Sequence, residues 1–317
     1  MHALLSAVAI AAAALFSAVA QTSPSRSAGD PATGKALFEG RGGCTACHFP
    51  GSRARKVGPD LSWIGMLRTP DTLRRSLAAP APQDNRRFST TMPSYASTFS
   101  PAEIDHLVAY LRTLRAIPPS VPRERSRDIP AASENVAFFD RPERNAEEQS
   151  DALVHALEIR EGTTIADLGA GTGYFTWRLA QAVGAAGRVI AADIQPRMLE
   201  LAADTVGQHG FRNVEYVLGT VHDPKLPPAA LDLVFIAHAY HEFSEPEKIM
   251  EAVRRSLKPD GRLVIVEYAK ENRLAPATSL HKMSFAEIRD EIEQMGFDLQ
   301  QILDFLPVQH GLIFTVR

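Results

Sequence analysis

Between Ser100 and Leu114 the apolar residues fall at Ile104, Leu107, Val108, Leu111 and Leu114, a spacing of three and four that places them on one face of a helix. The same stretch marks its own start. Ser100 and Glu103 form a capping-box pattern, with proline at the first helical position. A shorter amphipathic pattern, TGKALFEGRGGC, predicts a helix that stops at the glycines before Cys44. Beyond residue 135 the period changes. TIADLGA, RVIAADI, NVEYVLG, LDLVFIAH and GRLVIVEYA read as strands, with TWRLAQAV, PRMLELAADTVGQHG and EPEKIMEAVRRSLKPDG as the helices between them. Such alternation predicts βαβ units and a mainly parallel sheet. The stretch from Phe297 to Arg317 holds two strand patterns with no helix between, hence an antiparallel hairpin at one edge. The fold class expected is multidomain, an all-α unit followed by an α/β unit.

The seam lies in RAIPPSVPRERSRDIPAASEN, from Arg115 to Asn135, where four prolines and mixed charges interrupt both periods. Proline fixes φ and removes a donor, so this segment reads as an extended linker of limited flexibility. The expected division is a leader over 1–20, a helical unit over 30–116, a linker over 117–133 and an α/β unit over 134–317. A length of 317 residues suits two domains, and 45% hydrophobic content supplies two cores. Charge separates the units as well: residues 21–120 carry 13 Lys/Arg against 7 Asp/Glu, and residues 151–317 carry 16 against 23. Either the two surfaces attract each other or recruit different partners, or each is solvated independently. No nucleic-acid partner is indicated.

The first twenty residues are an almost unbroken apolar run ending in Ala18-Val19-Ala20, a small-residue pattern suited to signal-peptidase cleavage before Gln21. An uncleaved alanine-rich anchor is the alternative, and the run barely reaches the roughly 20 residues that a span needs. The expectation is a bacterial chain exported to the periplasm or beyond, with membrane contact only if the leader stays uncleaved.

The only two cysteines stand in Cys44-Thr-Ala-Cys47-His48. A Cys44–Cys47 disulfide is one reading in an exported chain. The following histidine argues against it, because Cys-x-x-Cys-His attaches c-type haem through both thiols and leaves His48 as an iron ligand. One covalent haem c is therefore expected. For the sixth ligand, Met66 in LSWIGMLR reads as a core residue, and His106 lies off the apolar stripe and faces solvent. Met92, in the polar stretch TTMPSY, has no core face to serve and is the ligand expected. Residues 30–116 resemble a small class I cytochrome c in the first amphipathic helix, CTACH, KVGPDL, TTMPSY and FSPAEIDHLVAYLRTL. The resemblance implies that Pro59 packs beside the His48 ring, that a nearby carbonyl accepts its Nδ1–H, and that Met92 is the distal ligand. It also implies a redox partner protein.

Asp167 precedes Gly169-Ala-Gly171-Thr-Gly173 between a predicted strand and a predicted helix, where backbone can approach a nucleotide closely. The dinucleotide fingerprint G-x-G-x-x-G fails, because its last position falls on Tyr174. An acidic residue at Asp167 repels a pyrophosphate but favours the cationic sulfonium and ammonium of S-adenosyl-L-methionine. Asp193, at the next strand tip, is placed to take both ribose hydroxyls, or else merely caps the helix that follows. Asp223 is placed to meet the adenine amino group. Residues 134–317 resemble class I S-adenosylmethionine-dependent methyltransferases, which are Rossmann-like, and FFDRPERNAEEQSDALVHALEIREGTTIADLGAGTGYFTWRLA resembles an exported bacterial group of them. The resemblance implies that Asp167, Gly169, Gly171, Asp193 and Asp223 bind the cofactor, and it leaves the small-molecule methyl acceptor open.

Ligands of open α/β sheets bind at the carboxyl ends of strands. The fourth strand ends at His238, Tyr240, His241 and Glu242, and the fifth at Glu267-Tyr268. Methyl transfer needs an acceptor positioned in line and, where that acceptor carries a proton, a base. His241 is the candidate base or orienter, with Glu242 beside it. A metal on His238, His241 and Glu242 is an alternative that lacks a third ligand of known spacing, and His238 otherwise reads as a satisfied core histidine. Arg141 and Arg144 either close over the cofactor or substrate, or are solvated. The leading expectation is an exported methyltransferase coupled to a haem electron carrier. The alternatives are an electron-transfer or redox-sensing cytochrome whose second unit binds a ligand or partner without catalysis.

Overall fold

The computed structural model describes residues 29–48, 58, 60–80, 92–116, 136–272 and 275–317. The expected leader over 1–20, Pro59 and the linker over 117–133 lie outside the described residues. Among the described residues, four helices build the first unit: α1 (Pro31–Glu39), α2 (Ile64–Leu67), α3 (Pro70–Ala78) and α4 (Pro101–Thr113). The Asp30 carboxylate caps α1 by accepting the Ala32 and Thr33 N–H groups, and the capping box of Ser100 and Glu103 opens α4. Phe38, Leu73, Leu77, Phe99, Leu107 and Leu111 meet in its core. The crossing of α1 and α4 is tight at Gly34, where a Cβ would stand 1.9 Å from the His106 carbonyl oxygen and 2.8 Å from Tyr110 Cβ. His106 does not simply face solvent: its Nδ1 accepts the Asp30 backbone N–H at 2.7 Å and ties the start of α1 to α4.

The second unit opens with three short helices, α5 (Val136–Phe139), α6 (Arg144–Glu148) and α7 (Ser150–Ala156), which form a strap ahead of the sheet. There follow β1 (Thr164–Leu168), α8 (Thr176–Val183), β2 (Arg188–Asp193), α9 (Pro196–Gln208), β3 (Val214–Leu218) and β4 (Leu231–Ala237). The chain ends with α10 (Pro246–Ser256), β5 (Leu257–Tyr268), α11 (Phe285–Gln294), β6 (Phe297–Ile302) and β7 (Gln309–Val316). The seven strands lie in the order β3-β2-β1-β4-β5-β7-β6. The first five are parallel, and β7 runs antiparallel to both β5 and β6. Strand order reverses between β1 and β4, which opens a crevice at the carboxyl ends of these strands. Both faces are covered: Ala166, Ile190, Val234 and Ile265 pack on one side, Ile165, Val189, Phe235 and Val264 on the other. This two-sided burial explains why the strands read as near-continuous apolar runs.

One helix ends earlier than its pattern predicts. α10 stops at Ser256, and Leu257–Asp260 already belongs to β5. Pro259 supplies the reason, since it lacks an N–H and biases Lys258 toward extended backbone. Met66 also departs from expectation, for it packs with Leu67 against the core of the α/β unit. Beside them Arg68 Nη2 donates to the Leu306 carbonyl at 3.1 Å, and the Thr69 N–H donates to the Asp304 carboxylate. No helix among the described residues is long and apolar enough to cross a membrane.

The Gly34 crossing gives a direct test. Gly34→Val forces α1 away from α4 and is expected to destabilise the helical unit by about 1–3 kcal/mol, the usual cost of overpacking. Chemical denaturation followed through the helical unit should show it, and an unchanged midpoint would contradict the close approach.

Candidate cofactor and active site

From Asp167 the chain leaves β1 and turns through Gly169, Gly171 and Gly173 into α8. Gly171 and Gly173 have φ of 55° and 84°, in the left-handed region where a side chain is strained. Their surroundings differ. A Cβ on Gly173 would stand 2.8 Å from Ala202 Cα, so this glycine lets the loop lie against α9. At Gly171 nothing lies within 4 Å of that position, and the backbone faces an open cleft. Arg144, Asp167, Asp193, His238 and Glu242 line the same cleft.

Asp193 ends β2 and does two things at once. Its Oδ2 accepts the Gly171 N–H at 3.0 Å and its Oδ1 accepts the Gln195 N–H at 2.9 Å, so it braces the glycine turn as well as the entry to α9. Burial pushes its carboxyl above the usual range, against the pull of these backbone donors. Asp167 is buried and accepts from Thr176 Oγ1 at 2.6 Å. Burial, opposed by that hydrogen bond and reinforced by the Asp193 charge, pushes Asp167 up to about 7. Asp223 stands elsewhere. It is exposed, its Oδ1 accepts the Lys225 N–H at 2.8 Å, and the cleft wall after β3 is made by Gly219, Thr220, Val221 and Pro224 instead. The expected adenine contact from Asp223 therefore has no counterpart in the cleft lining. Two carboxylates at adjacent strand tips, around a turn with open backbone, suit a ligand that carries both a cation and a pair of hydroxyls.

The strap lines one side of the cleft with Phe139 and Arg144 and is anchored through Glu148, which is fully buried. Arg144 Nε donates to both Glu148 oxygens at 3.1 Å, Arg141 Nη2 donates at 2.9 Å, and the Tyr268 hydroxyl and Gln309 Nε2 donate as well. Burial alone would raise the Glu148 carboxyl. The adjacent His238, the Arg144 guanidinium and the Tyr268 hydroxyl reverse this and hold it well below the usual carboxylate range. Thr172 Oγ1 donates to Asp140 at 2.7 Å, which fastens the strap to the glycine turn. Neither arginine is a solvated linker residue, and Arg144 stacks over Tyr174 at 3.9 Å.

After β4, His238 has φ of 54° and stacks on Tyr268 at 3.9 Å. Its Nε2 lies 3.1 Å from Gln309 Nε2 and 3.4 Å from Glu148 Oε2, whereas its buried Nδ1 has no hydrogen-bond partner. It is therefore not a satisfied core histidine. His241 is turned away from the cleft lining. Its Nδ1 lies 2.8 Å from Glu267 Oε2, its backbone N–H donates to Glu267 Oε1 at 3.0 Å, and its Nε2 lies 3.0 Å from His281 Nδ1. Burial would lower its pKa, but the Glu267 and Glu242 carboxylates overcome that and push it up to about 9. Of the expected pair, Glu242 lines the cleft, and His241 stands behind it.

In the helical unit Cys44 sits on a one-turn 3-10 segment, Cys44–Ala46, followed directly by Cys47 and His48. Both thiols are free, so the disulfide is not formed. The His48 N–H donates to the Cys44 carbonyl at 2.8 Å, and the imidazole lies so close to Gly58 that a Cβ there would be 2.5 Å from its Cε1. Two unbonded thiols three residues apart, with a buried imidazole next to them, fit a c-type haem. Met92 is 36% exposed, on a segment that the Tyr95 N–H anchors to the Leu77 carbonyl at 2.9 Å.

Residues 31–115 match the cytochrome c family and residues 159–305 match a methyltransferase domain family. The chain is a fusion of a cytochrome c domain with a Rossmann-like, S-adenosylmethionine-type methyltransferase domain. It is 35% identical over 113 residues to the ubiquinone/menaquinone biosynthesis C-methyltransferase UbiE of Salmonella arizonae, a match covering 35% of this chain and 45% of that protein. UbiE of Salmonella newport matches to the same extent, and the chain thus spans less than half the length of these curated relatives. A SAM dependent methyltransferase from Aquifex aeolicus superposes with a TM-score of 0.56 at 27% identity, over 59% of this chain and 99% of that one.

Asp167 sets a pH test. Its folded pKa, about 7, lies above the ordinary 3.8, so its contribution to stability is complete below about pH 4 and is lost as pH rises through 7. Asp167→Asn stays neutral throughout. In ligand-free protein its melting temperature relative to wild type should rise between pH 4 and pH 7, and a constant difference across that window would refute the raised pKa.

Proposed function

We propose that the α/β domain binds S-adenosyl-L-methionine and transfers its methyl group to a small-molecule acceptor, while the helical domain carries one covalent haem c and exchanges electrons with a redox partner protein. The observation that carries the first half is the pair Asp167 and Asp193 at adjacent strand tips around the open backbone of Gly171. In this reading Asp193 takes the ribose hydroxyls, the turn Gly169-Gly171-Gly173 admits the cofactor's backbone contacts, and the Asp167 carboxylate offsets its positive charge. When bound, the cofactor supplies an already activated methyl carbon. What remains for the chain is to hold the acceptor in line and to receive its proton. Glu242 stands at the cleft for that task, with His241 locked behind it by Glu267.

The similarity to a ubiquinone/menaquinone C-methyltransferase makes a quinol-type ring the first acceptor class to test. The haem half of the proposal rests on Cys44, Cys47 and His48 held on one turn, with Met92 as the distal ligand. Because c-type haem is attached outside the cytoplasm, these residues together with the apolar leader support an exported, periplasmic bacterial protein whose leader is removed.

Calorimetric titration of the haem-loaded chain with S-adenosylmethionine should show one site, and Asp193→Ala should weaken it about tenfold or more, the scale of a lost charge-assisted hydrogen bond. Absence of binding would sink the methyltransferase reading. Binding without conversion to S-adenosylhomocysteine across acceptor classes would favour a ligand-binding domain. For the haem, Met92→Ala should abolish the Met-to-iron charge-transfer band at the red end of the oxidised spectrum, and its persistence would remove Met92 from the ligand set.

A further inference from the structure

Behind Glu242 two imidazoles converge from different parts of the fold. His241 follows β4, and His281 lies on the turn Ser279–His281 that precedes α11. His241 Nε2 and His281 Nδ1 are 3.0 Å apart, and Glu242 Oε1 lies 3.6 Å from the first and 3.8 Å from the second. A tetrahedral ion with bonds of about 2.0–2.1 Å holds its ligand atoms about 3.3–3.4 Å from one another. The observed triangle brackets that spacing, so small side-chain adjustments close it around an ion.

The surroundings favour the same occupant. Glu267 is fully buried and holds His241 by its Nδ1, which leaves Nε2 as the ligating nitrogen, the carboxylate–histidine arrangement that fixes a metal-binding ring. Once the ion displaces the His241 proton, two neutral imidazoles and two carboxylates, Glu242 and Glu267, balance the charge of a divalent cation. A hydrogen bond between the two rings accounts for their 3.0 Å contact and leaves Glu242 as a counter-charge to a protonated His241, whereas an ion engages all three groups at once. His238 is not in the group. It is occupied on the opposite side by Gln309 and Glu148, so the set expected from sequence is corrected by replacing His238 with His281.

We propose that His241, Glu242 and His281 form a binding site for one divalent cation of the zinc class, with a fourth coordination position left to water or to an oxygen of the acceptor. Two histidines and one carboxylate are a donor set suited to zinc with an open position. Glu242 lines the cleft, so the ion lies at its rim, orients an acceptor hydroxyl toward the bound cofactor and, in place of Glu242 as base, lowers that hydroxyl's pKa. The role of the open position rests on the methyltransferase reading, whereas the ion site does not.

The test uses the full haem-loaded chain without an affinity tag, stripped with a chelator and dialysed against micromolar zinc. Zinc is measured against haem iron by elemental analysis, and its ligands by X-ray absorption. One zinc per haem-loaded chain with a nitrogen and oxygen shell is expected, and His281→Ala and Glu242→Gln should each weaken it about 10–100-fold or more. His281 is partly exposed, so its replacement should leave the fold intact, which circular dichroism checks. No bound zinc, or zinc held equally by His281→Ala, would overturn the site. Titration of the same samples with S-adenosylmethionine separates the two readings: cofactor binding without zinc defeats only the ion site, and zinc without cofactor binding defeats only the methyltransferase reading.

Discussion

A carboxylate with no exposure to water has to be answered by donors, and Glu148 is answered from four directions at once. Arg141 and Arg144 come from the strap, Tyr268 from the end of β5 and Gln309 from the start of β7, with His238 beside them after β4. Losing one partner of a buried ion pair typically costs about 3–5 kcal/mol, because the remaining charge stays uncompensated. The strap is therefore held to the sheet where Tyr268 of β5 lies opposite Gln309 of β7, beside the end of β4. The cleft inherits its shape from this arrangement: Arg144 lines it, His238 is turned into a left-handed conformation at its wall, and the strap reaches the glycine turn through Asp140 and Thr172.

The opposite wall has the reverse electrostatics. Asp167 and Asp193 are buried near each other and both are pushed up from ordinary carboxylate behaviour, against hydroxyl and backbone donors and the charge of Arg144 near Asp167. One side of the cleft thus has its charge satisfied internally, and the other keeps an unmet preference for a cation. The attraction for a positively charged ligand is concentrated on the β1 and β2 side, and in the proposed function the β4 and β5 side is left for the acceptor.

Much of this was readable in advance, for identifiable reasons. The parallel strands showed because both their faces are buried, and α4 showed because its capping box and apolar stripe agree. Asp167, Asp193 and the glycines were found because a tight turn at a strand tip imposes residue types at fixed spacing. Glu148 was hidden inside a charged run, where nothing marks one acid as buried. His281 lies 40 positions from His241 in a stretch without periodicity, so only the folded chain brings the rings together. The early end of α10 was signalled by Pro259, and the start of α11 by a second capping box, Ser284 with Glu287. Asp223 fitted the spacing of the glycine-loop pattern, but a local turn uses its carboxylate for Lys225.

The contact of Arg68 and Thr69 with Leu306 and Asp304 changes how the two domains are connected. The segment that receives it joins β6 to β7, and three residues past Leu306 the chain reaches Gln309, which touches both Glu148 and His238. The cytochrome c domain therefore meets the α/β domain through a side-chain and backbone contact as well as along the chain. Arg68 thus rests on the segment that leads, three residues later, into Gln309 and its contacts with Glu148 and His238 at the cleft wall.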